Sequence, residues 1–171
     1  SFGSGGISSS SYPLQLNLDT AGRILVAGWV NTAPNRGGVI ITPTVTRYAS
    51  DGRKDMAFGN SGTARAGYDA RYLSPMVSTD PFGNVLLSCG AGPTDAATDF
   101  AVERFTDSGI PDNTFGGGDG ISTVDFNGQH DLVMASAAQS DGSIVLVGNT
   151  TVSGSNNGSD IAMARLDSSG N

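Results

Sequence analysis

The sequence predicts an all-β fold of three repeated, four-stranded antiparallel units, and three landmarks recurring in step predict it. The first is a Phe-Gly followed by more glycine. Ser1-Phe2-Gly3 leads to Gly5-Gly6, Ala57-Phe58-Gly59 to Gly62, and Thr114-Phe115-Gly116 to Gly118 and Gly120, so the phenylalanines stand 56 and 57 residues apart. The second is an arginine between apolar or aromatic anchors, in Val45-Thr46-Arg47-Tyr48, Val102-Glu103-Arg104-Phe105 and Met163-Ala164-Arg165-Leu166. The third is a turn opening an apolar run: "DTAGRILVAG" at 19–28, "DPFGNVLLSCG" at 80–90 and "SDGSIVLVG" at 140–148. Self-similarity at one period marks a repeat architecture, in which each unit needs a neighbour to bury its faces.

The spacing within a repeat is rigid. Each arginine stands five residues before a glycine (Gly52, Gly109, Gly170), and Arg47 to Phe58 and Arg104 to Phe115 are both 11 residues; Asp55 and Asp112 each stand three before their phenylalanine. The Asp-Gly type turns supply the positive φ of tight hairpins, and the Val/Ile/Leu runs after them suit buried strands. Each repeat divides into four short segments, exemplified by "ISTVDF", "LVMASAAQ", "SIVLVGN" and "DIAMARLD". Four antiparallel strands in a repeat of this length is the pattern of a propeller blade. With 25 glycines, 7 prolines and 15% charged residues, the chain lacks the composition of a helical protein. The repeats run approximately over 2–57, 58–114 and 115–171 of a single domain.

The stretches "SDGSIVLVGN…SDIAMARLDSSGN" (140–171) and "TDFAVERFTDSGIPDNTFG" (98–116) resemble the delta-60 repeat, a bacterial tandem repeat expected to form β-propeller blades. The resemblance covers nearly the whole chain and implies no catalytic residues. Repeat one departs from it, because "VIITPTVT" (39–46) carries Pro43 where the repeat has an apolar strand. A proline removes a ladder donor, so this strand is expected at an edge or at a bulge.

A feature present once per blade reads as packing rather than as a site. Phe2, Phe58 and Phe115 are expected between blades, the glycines after them to turn the chain into the next blade, and Arg47, Arg104 and Arg165 to pair with the aspartate of Asp-x-x-Phe-Gly, as with Asp55 and Asp112. Such a buried pair fixes register more than it stabilises. Three blades are fewer than the four to eight that usually close a propeller. The chain therefore reads as three whole repeats cut from a longer precursor or array, with open edges that invite self-association: two chains closing a six-bladed ring, a head-to-tail polymer, or contact with other repeats of the same precursor.

Chemistry is sparse. A net charge of −7, with a single lysine (Lys54), excludes the clustered cations that phosphates require, so no nucleic-acid partner is expected. No apolar run reaches the ~18 residues of a membrane helix, and no membrane insertion is expected. His130, the one histidine, lies in the turn-like "NGQHDL", where exposure is expected, and there is no G-x-S-x-G elbow. Cys89 lies in an apolar run and reads as a small buried hydrophobe. No cofactor is expected; calcium is the one ion worth considering, with Asp119 in "GGGDG" and Asn156 and Asp160 in "SGSNNGSD" as oxygen donors, although neither stretch has EF-hand spacing. The nonrepeated Trp29, Tyr68, Arg71 and Tyr72 are candidate partner contacts. The expected function is a non-enzymatic structural or interaction module of a secreted or cell-surface bacterial repeat protein, acting in assembly or adhesion; a carbohydrate- or protein-binding module is the alternative, and a propeller hydrolase ranks below both.

Overall fold

A computed structural model describes residues 12–31, 41–70, 75–94, 97–151 and 158–171. Eleven strands and no helix occur among them: β1 (Tyr12–Leu18), β2 (Ile24–Asn31), β3 (Ile41–Tyr48), β4 (Thr63–Arg65), β5 (Met76–Thr79), β6 (Val85–Thr94), β7 (Ala97–Phe105), β8 (Ile121–Val124), β9 (Asp131–Ala138), β10 (Ile144–Thr151) and β11 (Ser159–Leu166). They form three antiparallel sheets ordered β1-β2-β3-β4, β5-β6-β7-β8 and β9-β10-β11. These are propeller-like blades in an unclosed arrangement. Two have the expected four strands, and the third has three among the described residues.

The hairpins form where the turn residues dictate. Asp19 Oδ1 accepts the N–H groups of Ala21 and Arg23, and Asp80 Oδ1 those of Phe82 and Asn84, each at 2.9 Å. Gly22, Gly83 and Gly142 supply the left-handed residue, at φ of +74°, +89° and +84°.

The outermost strand of each four-stranded sheet comes from the segment after a Phe-Gly. β4 pairs with β3 and β8 with β7, so one sheet draws on two successive sequence repeats. The arginine–aspartate–phenylalanine segment is thus the path from β3 to β4 and from β7 to β8.

Pro43 occupies neither an edge nor a bulge. β3 is an interior strand paired without a register shift to β2, with Trp29 opposite Pro43. The missing donor is accommodated on the β4 side, where the ladder ends at Thr44 opposite Arg65; the Pro43 carbonyl still accepts the N–H of Ala66 at 2.9 Å.

Two apolar layers hold the blades together. Leu25, Ala27, Val45 and Phe58 meet Val77, Val85, Leu87 and Phe105 between blades one and two. Leu86, Phe100, Val102 and Phe115 meet Val133, Ile144, Leu146, Ala162 and Leu166 between blades two and three. Val85 and Leu87 therefore face one neighbour while Leu86 faces the other, which is why β6 reads as a continuous apolar run rather than an alternating one. Each fully buried leucine or phenylalanine contributes roughly 1.5–3 kcal/mol.

Phe58 and Phe115 are fully buried against a turn of the following blade. A Cβ on Gly109 would lie 2.6 Å from the Gly59 nitrogen and 2.8 Å from the Phe58 ring, and one on Gly170 would lie 2.9 Å from both the Gly116 nitrogen and the Phe115 ring. Gly59 and Gly116 in turn donate to the carbonyls of Ser108 and Ser169, at 2.8 and 2.9 Å. Gly22 has nearly the same φ as Gly109 (+74° against +78°), yet its Cβ would meet nothing within 4 Å. Alanine at either site incurs the left-handed strain of roughly 1 kcal/mol. Gly109→Ala should cost at least about 1 kcal/mol more than Gly22→Ala in urea unfolding, because it also forces blades one and two apart; equal losses would mean that the contact carries no energy. Phe115→Ala should cost about 3–5 kcal/mol.

Candidate functional site

The repeated arginine, aspartate and phenylalanine come together at each junction. Arg47 Nε donates to Asp55 Oδ2 at 2.8 Å, its guanidinium lies 4.4 Å from the Phe58 ring centre, and Nη1 donates to the Asp107 carbonyl of the next blade. Arg104 repeats this with Asp112 at 2.8 Å, the Phe115 ring at 4.6 Å and the Ser168 carbonyl at 2.7 Å. Each guanidinium thus spans three elements: its own strand, the aspartate ahead of its phenylalanine, and the next blade's turn. Both arginines are buried and hydrogen-bonded in a way that no incoming ligand would share.

Arg165 differs. It is 58% exposed and donates within its own sheet, to Gln139 Oε1 at 2.6 Å, Asp141 Oδ2 at 2.9 Å and Ser143 Oγ at 3.1 Å. Phe2 lies outside the described residues.

Of the nonrepeated aromatics, Trp29 stacks on Tyr12, its cross-strand partner, with ring centres 4.2 Å apart and planes 14° from parallel. Tyr68 packs on the first apolar layer and donates to the Leu87 carbonyl at 3.4 Å; burial raises its phenol pKa. Arg71 and Tyr72 lie outside the described residues. Asp119 is exposed and caps the Ile121 N–H at 2.9 Å. Asp160 is exposed on β11, and Asn156 lies outside the described residues. Cys89 is buried. His130 is half-buried rather than exposed, and Thr151 donates twice to its backbone carbonyl, at 3.0 and 3.2 Å.

Sequence reasoning missed the two end faces. On β1, Leu14, Leu16 and Leu18 are 50%, 63% and 56% exposed, and Leu16 and Leu18 stand opposite Val26 and Ile24 on β2. Their alternation in "YPLQLNL" was a legible signal. Pro13, Leu14, Gln15, Leu16 and Val26 line a shallow apolar hollow there. At the other end, Met163 is 65% and Ile161 77% exposed, and Met163 stands opposite Val147.

Glu103 is a charged residue where the other repeats have Thr46 and Ala164, each one position before the repeat's arginine. It is buried at the first junction and accepts the N–H of Gly67 at 2.7 Å. Burial pushes its carboxyl up to about 7; the Gly67 bond opposes this and the Asp119 charge adds to it. Because the folded value exceeds the unfolded one, the unfolded chain releases this proton first. Stability from this group is therefore full below about pH 4.5 and falls as pH rises to about 7, by up to about 3 kcal/mol. Glu103→Gln should remove that fall, so that the variant gains on the wild type in urea unfolding at pH 7.5 relative to pH 5; a constant difference at both pH values would place Glu103 in a solvated setting.

Residues 139–171 match the family model described as a β-propeller domain of unknown function, DUF5122. No curated protein matches the chain. The match covers β10, β11 and the turns that open and follow them, and it supports a β-propeller repeat for that segment.

Proposed function

We propose that the chain is a non-enzymatic assembly module, a set of blades that associates head to tail with a second copy of itself. The observation that carries this reading is the two-sided apolar pattern of the end sheets. In the central blade, alternate residues of β6 serve two different neighbours. β2 and β10 have the same character: Leu25 and Ala27, and Ile144 and Leu146, face the interior layers. Ile24 and Val26, and Val145 and Val147, face the other way, where no described sheet covers them. Apolar faces of this extent on a soluble protein mark contact surfaces.

The occupant best matched to each face is the face at the opposite end. A blade-three face of Val145, Val147, Met134 and Met163 set on a blade-one face of Leu14, Leu16, Val26 and Ile24 repeats the order in which blades one, two and three already stack. Such a contact is heterologous: it closes a ring if two chains complete six blades, and it gives a filament if the rotation does not close. The delta-60 resemblance, the single lysine and the Ser/Thr/Asn/Gly-rich composition support a secreted or surface bacterial repeat protein as the setting.

Light scattering on the purified chain should show concentration-dependent association. Leu16→Glu and Met163→Glu should each abolish it by disabling one face. An equimolar mixture of the two variants should restore a dimer and nothing larger, because one intact face of each kind remains. A monomer at every concentration, or variants that associate as the wild type does, would overturn the reading.

A further inference from the structure

Three carboxylates meet where the chain passes from the second blade to the third. One oxygen from each of Asp99, Asp125 and Asp131 lies within 4.8 Å of the others. The last β7–β8 pair is Phe100 with Val124, so Asp99 and Asp125 stand at the next step of that register. Like charges placed opposite one another across a strand pair are destabilising. Asp131, the first residue of β9, adds the third from the neighbouring blade.

The environment makes the repulsion severe. Asp131 is fully buried; its Oδ2 accepts the Phe126 N–H at 2.7 Å, while its buried Oδ1 has no hydrogen-bond partner. A buried carboxylate oxygen without a partner carries a desolvation cost that folding does not normally tolerate. Phe100 and Phe126, the sequence neighbours of Asp99 and Asp125, pack edge-on against each other with ring centres 5.1 Å apart. Among the described residues, no arginine or lysine forms an ion pair with any of the three. Burial first, and then the charges of Asp125 and Asp131, hold the Asp99 carboxyl above its ordinary range.

The arrangement occurs once among the described residues, which separates it from the packing devices. The position five before each repeat's arginine is Thr42, Asp99 and Asp160. In blade one Thr42 donates its hydroxyl to Asp69 at 3.1 Å, so an acid there meets a donor. In blade two the acid meets two more acids. The loop between them is shaped to hold that geometry: Asn127 and Gly128 have φ of +64° and +65°, and Asp125 Oδ1 accepts the Gly128 N–H at 2.6 Å.

We propose that Asp99, Asp125 and Asp131 bind a divalent calcium ion that links the second blade to the third. The donor set is all oxygen, the preference of a hard cation. Calcium accepts oxygen ligands in variable number and irregular geometry, whereas magnesium demands a near-ideal octahedron, so donors gathered from two strands and a loop suit the larger ion. Asp125 is exposed and Asp99 half-buried, which leaves one side open for water to complete the shell. The buried Asp131 Oδ1 then has its missing partner, and three negative charges share two positive ones.

The test uses the full chain, stripped with a chelator that is then removed, and CaCl2 as the probe in calorimetric titration and thermal unfolding. One saturable site per chain is expected, with a melting temperature raised by calcium and raised less by magnesium. Asp99→Asn and Asp125→Asn, chosen because neither side chain is fully buried, should each weaken calcium binding at least tenfold. Without calcium, both variants should melt at or above the wild-type temperature, since each removes a repelling charge. Absence of a titratable site at millimolar CaCl2, an equal thermal shift from NaCl at matched ionic strength, or undiminished binding by the two variants would overturn the assignment.

Discussion

Gly109 and Gly170 have no side chains because Phe58 and Phe115 occupy the space where those side chains would lie. That exchange, a ring from one blade seated in a bare turn of the next, is the constraint on which the rest of the architecture depends. It fixes the distance between successive sheets, and the paired hydrogen bonds from Gly59 and Gly116 fix their rotation. Arg47 and Arg104 then reach over their rings to carbonyls of the same turns, so the polar contacts are built around an apolar one already in place. A guanidinium over a ring, hydrogen-bonded on its remaining edges, keeps its charge satisfied in a setting from which water is largely excluded.

The order in which the chain supplies strands follows from the same contact. The phenylalanine has to reach the next blade, while the strand after it returns to pair with the sheet just left. A sheet is therefore completed by residues that belong, in sequence, to the following repeat. This ties each blade to its successor both covalently and by the ladder, which protects the outer strand of one sheet with the turn of another. Arg165 shows the alternative. Its guanidinium lies on Gln139, Asp141 and Ser143 of its own blade instead of on a phenylalanine ring and the turn of a neighbour.

What was legible in the sequence was local or periodic. Asp-x-x-Gly turns, the apolar runs after them and the fixed arginine-to-phenylalanine spacing locate β2, β3, β6, β7, β10 and β11, because turn chemistry and strand patterning act within a few residues. Pro43 misled because a missing donor was read as an edge, whereas a partner strand that ends one residue away removes the conflict equally well. The acid cluster was illegible for a different reason: Asp99 is brought to Asp131 by a register across two sheets, and neither neighbourhood resembles a metal loop. Of the calcium donors suggested by glycine-rich composition, Asp119 and Asp160 are exposed, and Asn156 lies outside the described residues.

The two junctions share one apolar plan and differ in their polar groups, which gives each a separate identity. The first carries Glu103 on the Gly67 amide, Gln15 and Asn17 reaching across to Val77, and Arg23 joining Arg47 on Asp107. The second carries Ser122 on the Gly170 carbonyl and the three aspartates. Apolar faces of similar character could stack in several orders; buried polar groups penalise every order that leaves them without partners. An additional blade seated on β11 would face a choice of the same kind. To form the repeated clamp, Arg165 would have to exchange its contacts to Gln139, Asp141 and Ser143 for a carboxylate and a turn carbonyl brought by the incoming blade. Apolar burial would then supply the affinity of an end-to-end contact, and that exchange would decide which blades are accepted.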